Sequence, residues 1–215
     1  LKGPKVTVVR HPMVLEQLTL ARNKTTNQIA FRKAIFRLGR LMAHEFLRTL
    51  ETQEFPVETP FGKTTGYKVK GNDKIEIILI LRASIPFVDG MYKELPMART
   101  GIISAWRGKA PAFQIEINYS KIPDIHPDDI VIIADPMLAT GHTLLKVARK
   151  TLERGKPKRL VFFSVISTKK GIRHVGKEFP EAEFYTCAID PKVDEHGYIV
   201  PGLGDAGDRA FGSPH

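Results

Sequence analysis

Cysteine is nearly missing from this sequence: Cys187 stands alone among 215 residues, so no internal disulfide can staple the fold. No apolar run approaches the roughly 18 residues that a membrane span requires. The opening stretch LKGPKVTVVR lacks the pattern of a secretory signal, which leads us to expect a reducing, cytoplasmic setting with no membrane partner. The full Gly-x-x-x-x-Gly-Lys-[Ser/Thr] pattern does not occur, since Gly62-Lys63-Thr64 has Val57 in place of the leading glycine, which excludes a nucleoside-triphosphatase P-loop, and no Gly-x-Ser-x-Gly elbow is present. The seven histidines show no paired spacing with cysteine or acids that would make a zinc site.

What is present is a globular composition, with 42% hydrophobic residues, 33 Lys+Arg and 23 Asp+Glu. That is enough for one full core without staples, and it excludes disordered, collagen-like and coiled-coil chains. The net charge of +10 is unevenly spread. Residues 1–50 hold ten Lys/Arg against Glu16 and Glu45, hence +8 of it. Such a segment suits an anionic partner, a nucleic acid or a phosphorylated small molecule, or is simply a solvated helix face. Aromatic interleaving of the kind that stacks single-stranded bases is sparse there, which argues against nucleic acid.

Along the chain, residues 6–9 form a short β-branched run. Thr25 and Gln28 have capping-box spacing and predict the start of a long helix. Its apolar positions Phe31, Ile35, Leu38, Leu41, Met42, Phe46 and Leu50 recur every three to four residues. Residues 55–70 change to Pro, Thr, Gly and aromatics and predict a hairpin arm turning near Gly62. Residues 75–81, 129–134, 160–166 and, more weakly, 184–189 are strand signals, nearly continuous in apolar character as expected of strands buried on both faces. Helical stretches at 86–95, 143–154 and 169–179 separate them. The alternation predicts an α/β fold with a doubly wound, mainly parallel sheet. The expected division is a basic helical segment at 1–54, the hairpin arm at 55–70, the core sheet at 71–190 and a ligand-binding tail at 191–215. In such sheets ligands bind beyond the carboxyl ends of the strands.

One of those ends carries the clearest chemistry. The strand at 129–134 runs into Asp135-Pro136-Met137-Leu138-Ala139-Thr140-Gly141-His142-Thr143 and then a helix. A loop of small and hydroxyl residues opening a helix offers unpaired N–H groups and the positive end of a dipole, which suits a phosphate. The same pattern also fits an ordinary βα loop with Thr143 as N-cap. Near the tail, Gly202-Leu203-Gly204-Asp205-Ala206-Gly207 satisfies G-x-G-x-x-G. It follows Pro201 rather than a strand, and only eight residues remain for a helix and a distal acid, so a dinucleotide fold is rejected. Glycines there would instead let the backbone approach a flat ring and read its edge.

The loop at 135–143 resembles the phosphoribosyl-diphosphate (PRPP) signature of the phosphoribosyltransferases, in the version carried by uracil phosphoribosyltransferase. The segment His196-Gly197-Tyr198-Ile199-Val200-Pro201-Gly202-Leu203-Gly204-Asp205-Ala206-Gly207-Asp208-Arg209 is similar to that family's uracil-binding segment, and Ile80-Leu81-Arg82-Ala83-Ser84 to its diphosphate loop. Arg107 and Lys109 fall where the family has a mobile hood. Ala83-Ser84 replaces the commoner Ala-Gly, Ala134 the first of two acids, and His142 a usual second glycine; if that last position has positive φ, histidine bears modest strain.

The resemblance implies a type I phosphoribosyltransferase fold and the reaction of uracil with PRPP to give UMP and diphosphate. It implies Mg2+, held mostly by substrate oxygens and without direct protein ligands. Arg82 and Arg107 would contact the diphosphate, Thr140, Gly141, His142 and Thr143 the 5'-phosphate, and Asp135 the ribose hydroxyls, with Pro136, Met137, Leu138 and Ala139 completing the PRPP loop. Tyr198, Ile199, Val200, Gly204 and Ala206 would bind the base, and Asp205 the base together with ribose or metal. Arg82, Arg107, Asp135 and Asp205 are therefore the expected catalytic group. The family further implies a homo-oligomer, dimer or tetramer, and a GTP effector, for which Arg32, Lys33, Arg37 and Arg40 form the candidate cluster. The apolar stripe of the first long helix and the hairpin arm supply more apolar surface than one core of this size requires. A transferase for another base and an RNA-binding regulator on the same fold are the alternatives.

Overall fold

In the computed structural model, residues 3–107 and 114–213 are described. The chain opens with strand β1 (Lys5–Val8) and helices α1 (Pro12–Arg22) and α2 (Gln28–Leu47). A hairpin of β2 (Thr52–Thr59) and β3 (Gly62–Val69) leads to β4 (Ile75–Leu81), α3 (Ile85–Met91), β5 (Arg99–Arg107) and β6 (Ile115–Lys121). There follow β7 (Ile130–Ala134), β8 (Met137–Leu138), α4 (His142–Leu152), β9 (Arg159–Thr168), α5 (Lys169–Glu178) and β10 (Glu183–Asp190). A small pair, β11 (Lys192–Val193) and β12 (Ile199–Val200), and the short α6 (Ala206–Phe211) close the fold.

The central sheet has strand order β1-β10-β9-β7-β4-β5-β6, with the short β8 beside β9. Every pairing in it is parallel except β5 with β6. Alternation along the strands divides the core into two layers. Ile75, Ile77 and Leu79 of β4 face α1, α2, α3 and α6, whereas Ile78 and Ile80 face the layer of α4 and α5. The doubly wound architecture is as expected. The run at 75–81 nevertheless contains Glu76, fully buried beside Arg99 at 3.5 Å, and burial pushes its carboxyl up to about 7.

The long helix begins later than the capping box implies. Asn27, not Thr25, is the N-cap, its side chain accepting from the Ala30 N–H at 2.9 Å, while Thr25 is turned onto Asn23. An earlier helix, α1, lies where no element is expected; His11 caps it and Pro12 starts it, a pattern concealed by its weak apolar periodicity. The stripe of α2 is consumed inside the chain: Phe31, Ile35, Leu38, Met42 and Phe46 are all buried. Leu41 and Leu50 of the same stripe are only partly buried, so most of its apolar surface serves this chain's own core.

The basic N-terminal segment is largely spent on contacts within the chain. Lys5 pairs with Glu183, Arg22 with Asp190, Arg40 with Glu94 and Arg48 with Glu45. Arg32 donates to the Ala210 carbonyl at 2.7 Å and Arg37 to Gln17 at 3.5 Å. Of the four residues of the effector cluster, Lys33, Arg37 and Arg40 are exposed and Arg32 is half-buried.

Helices α2 and α3 touch through glycine. A Cβ on Gly39 would lie 1.9 Å from the Phe87 carbonyl oxygen, and one on Gly90 would lie 1.9 Å from that of Phe36. Neither backbone can yield without separating the helices. Gly39→Ala is expected to lower unfolding stability by about 2–3 kcal/mol, as overpacking does; unchanged denaturant midpoints would refute the contact.

Candidate active site

Residues of β7 are buried without exception, so the chain leaves the sheet at Asp135 with its backbone still tied to β9: the Asp135 N–H donates to the Phe163 carbonyl at 3.0 Å. Its Oδ1 accepts from the Met137 N–H at 3.2 Å, which bends the chain into the loop. Gly141 then takes φ +87°, where any side chain would be strained and would also press on Val175 and Gly171. Gly141, not Thr143, is the N-cap of α4, and it supplies no side-chain hydrogen bond to the helix start. Without a side-chain cap, the start of α4 turns the positive end of its dipole toward the loop, which suits an anion. His142 is the first residue of the helix, so the positive φ belongs to Gly141 and the strain expected at His142 does not arise.

The loop forms one wall of a cleft of about 520 Å3. Asp135, Met137, Leu138, Ala139, Thr140, Gly141, His142 and Thr143 line it, as do Gly197, Tyr198, Ile199 and Asp205 from the tail. Pro136 is buried behind the loop. Val200 and Ala206 do not line the cleft: Val200 pairs with Lys192, and Ala206 is buried against the core. Gly204, at φ +76°, turns the chain between them under Arg209. A helix does follow the glycine run after all, but α6 has six residues, with Asp205 as its N-cap accepting from the Asp208 N–H at 2.9 Å.

The tail is held to the sheet by a charged clamp. Arg22 grips both oxygens of Asp190 at 2.6 and 2.7 Å and donates to the Gly202 carbonyl at 2.7 Å. The Gly202 N–H returns to Asp190 at 2.9 Å. A side chain on Gly202 would strike the Ile199 carbonyl, 2.0 Å from the Cβ position. Arg209 reinforces this by stacking on Phe31 and donating to the carbonyls of Ala21, Leu203 and Asn23. These fix the cleft wall that carries Tyr198 and Asp205.

Arg82 sits at the end of β4, outside the cleft lining, paired with Asp208 of α6 at 3.2 Å. The Leu81–Arg82 peptide is cis. Behind it Ser84, in place of glycine, is buried and donates to the Ala134 carbonyl at 2.7 Å while accepting from the Ile80 N–H, joining this loop to the strand before Asp135. Arg107 ends β5, and its side chain lies outside the described residues, as does Lys109. Lys170, Asp194 and Glu195 also line the cleft. Lys170 could have been found from the rule that ligands gather just beyond the strand ends, since it lies two residues after β9. Cys187 is a core residue whose thiol burial pushes up to about 12, so it is no nucleophile.

Asp135 is the electrostatically unusual group. Burial, with a further contribution from the negative charge of Asp205, raises its carboxyl from 3.8 to about 7. Two carboxylates that repel across a cleft suit a cation or ribose hydroxyls between them. Among the described residues no group of three or more His, Cys, Asp or Glu side chains forms a metal cage.

Between about pH 4 and pH 7 the folded chain holds a proton on Asp135 that the unfolded chain has lost, so stability falls as pH rises through that window. Asp135→Asn removes this component and leaves that of Glu76. We expect the variant to melt at least about 4 °C above wild type near pH 8, with the gap closing near pH 4. Parallel melting profiles would refute it.

Comparison with known proteins agrees with the geometry. The family described as uracil phosphoribosyltransferase matches residues 8–213. A uracil phosphoribosyltransferase of Thermococcus gammatolerans is 50% identical over 203 residues, 94% of this chain and 91% of the relative. One of Pyrococcus furiosus is 48% identical over 94% of this chain and 88% of its own length. Among solved structures, the AQ2163 protein of Aquifex aeolicus superposes with a TM-score of 0.88 at 30% identity, covering 96% of this chain and 98% of that one. With its mainly parallel sheet, a cleft beyond the strand ends and a match over nearly its whole length, the chain belongs to the uracil phosphoribosyltransferase family.

Proposed function

We propose that the cleft between the 135–143 loop and the 197–205 tail is where uracil and PRPP combine to give UMP and diphosphate. One observation carries the assignment: an uncapped helix start and a glycine-bearing tail line a single cleft large enough for a nucleotide. The 5'-phosphate would lie on the first N–H groups of α4 with the hydroxyls of Thr140 and Thr143. Asp135 would hold the ribose hydroxyls, and Tyr198 and Ile199 would flank the base. Val200, Gly204 and Ala206 would act by shaping the backbone of that wall.

Departure of diphosphate leaves cationic character at ribose C1, so catalysis requires a stabilised leaving anion and N1 of uracil held against C1. Arg82 and Arg107 are assigned to the leaving group; Arg82 would exchange Asp208 for phosphate oxygens. Asp135 and Asp205 would offset positive charge on the sugar. When bound, Mg2+ would neutralise charge on the diphosphate, and the mutual repulsion of Asp135 and Asp205 makes the cleft compatible with it. Its main ligands would be substrate oxygens.

We also propose a homo-oligomer. The β2–β3 hairpin is a separate two-stranded sheet with Phe55, Phe61, Tyr67 and Val69 exposed. Such a ribbon is marginal alone and gains by covering its aromatics. A monomer in sedimentation at micromolar concentration would contradict this. The GTP effector rests on Arg32, Lys33, Arg37 and Arg40 alone, and a flat GTP titration of activity would remove it.

The primary test compares bases in a PRPP-dependent assay with and without Mg2+. UMP is the expected product, and product from a purine with none from uracil would overturn the assignment. Arg82→Ala is expected to lower turnover about 100-fold, the scale of losing one leaving-charge donor; full activity would exclude Arg82 from the leaving group.

A further inference from the structure

Positive charge in this protein accumulates where the sequence draws least attention to it. Within its ten residues α5 presents Lys169, Lys170, Arg173, His174 and Lys177. Its one acid, Glu178, is held by Arg149 through two bonds of 2.7 and 2.6 Å. Beside the helix lies a cavity of about 440 Å3 lined by His142, Lys170, Arg173, His174 and Lys177. The lining contains no carboxylate. Among the described residues, Lys170, Arg173 and Lys177 make no ion pair. Cations gathered without counter-charge repel one another and concentrate anions from solution.

The cavity adjoins the phosphate loop. His142 and Lys170 line both it and the cleft. The two imidazoles meet edge to face at 4.7 Å, and each reaches Thr140: His142 through the hydroxyl at 2.9 Å, His174 through the carbonyl at 2.8 Å. A ligand whose 5'-phosphate rests on the start of α4 therefore has, beside that phosphate, a second chamber whose lining holds no carboxylate. UMP has nothing to place there.

We propose that this chamber receives the β- and γ-phosphates of a nucleoside 5'-di- or triphosphate whose base and α-phosphate occupy the cleft. UDP and UTP would then bind as extended forms of the product and compete with PRPP. The inference deepens the cleft assignment and rests on it. A free polyphosphate shares the chemistry of the tail, so inorganic triphosphate serves as a separate arm of the test.

Titration calorimetry of the full chain at low salt with UMP, UDP, UTP and inorganic triphosphate would be paired with PRPP inhibition kinetics, for wild type and for the double variant Arg173→Gln/Lys177→Gln. Both substitutions are at exposed positions outside the cleft lining. UTP is expected to bind about tenfold tighter than UMP, competitively with PRPP, as two partly exposed ion pairs would give. The double variant should lose most of that advantage while its UMP affinity and turnover stay at wild-type values, and added salt should shrink the advantage in wild type. UTP no tighter than UMP, non-competitive inhibition, or equal loss of UMP and UTP affinity in the variant would overturn the proposal. Inorganic triphosphate binding as tightly as UTP and surviving excess UMP would also overturn it, by assigning the chamber to a free polyanion. Absence of UMP binding to wild type would overturn the cleft assignment and this inference together, whereas UMP binding without a UTP advantage overturns this inference alone.

Discussion

The site depends on how closely two backbones approach at the start of α5. A Cβ on Gly171 would stand 2.5 Å from the Ala139 carbonyl, and one on Gly141 would stand 3.0 Å from the Gly171 carbonyl. With hydrogen in both places, the first turn of α5 lies directly against the 135–143 loop. Thr168, the N-cap of α5, seals the approach by donating to the same Ala139 carbonyl at 2.6 Å. The loop is thereby pinned at its midpoint.

That packing couples chemistry to architecture. Because α5 rests on the loop, His174 can reach Thr140 and Lys170 can reach the cleft. The opposite wall is set by a different kind of force. The tail packs Ile199, Leu203, Ala206 and Ala210 into the core, and the bidentate Arg22–Asp190 pair, with both partners mostly withdrawn from solvent, holds it at the end of β10. A desolvated, hydrogen-bonded pair of this type confers register more dependably than it confers stability. Removing either partner would leave a buried charge at the root of the cleft wall that carries Tyr198 and Asp205.

Much of this was legible in the residues. Apolar runs ending in Asp135 and near Thr168, with helical stretches between, specify a parallel sheet because strands covered on both faces cannot alternate polar and apolar positions. The hairpin turning near Gly62 and the loop at 135–143 were equally plain, since turn chemistry and helix starts are local. Less local features escaped. α1 has a poor apolar stripe and is a helix because Pro12 and His11 start it and α2 supports it. The N-cap shifted from Thr25 to Asn27 because both residue types can cap, and only the path of the chain selects one.

Charge shows the same division. The sequence concentrates lysines and arginines in its first fifty residues, and counting them points there for an anion site. Folding brings Glu183, Asp190 and Glu94 from distant positions to meet Lys5, Arg22 and Arg40, while α5 is left with an uncompensated face. Linear order determined the strand pattern, the loop at 135–143 and the family to which they belong, because those depend on spacing and on residue type. Which cations are neutralised, which glycines allow contact and which carboxylates are raised by burial were decided only in three dimensions, because Coulomb forces, desolvation and steric exclusion depend on distance in space.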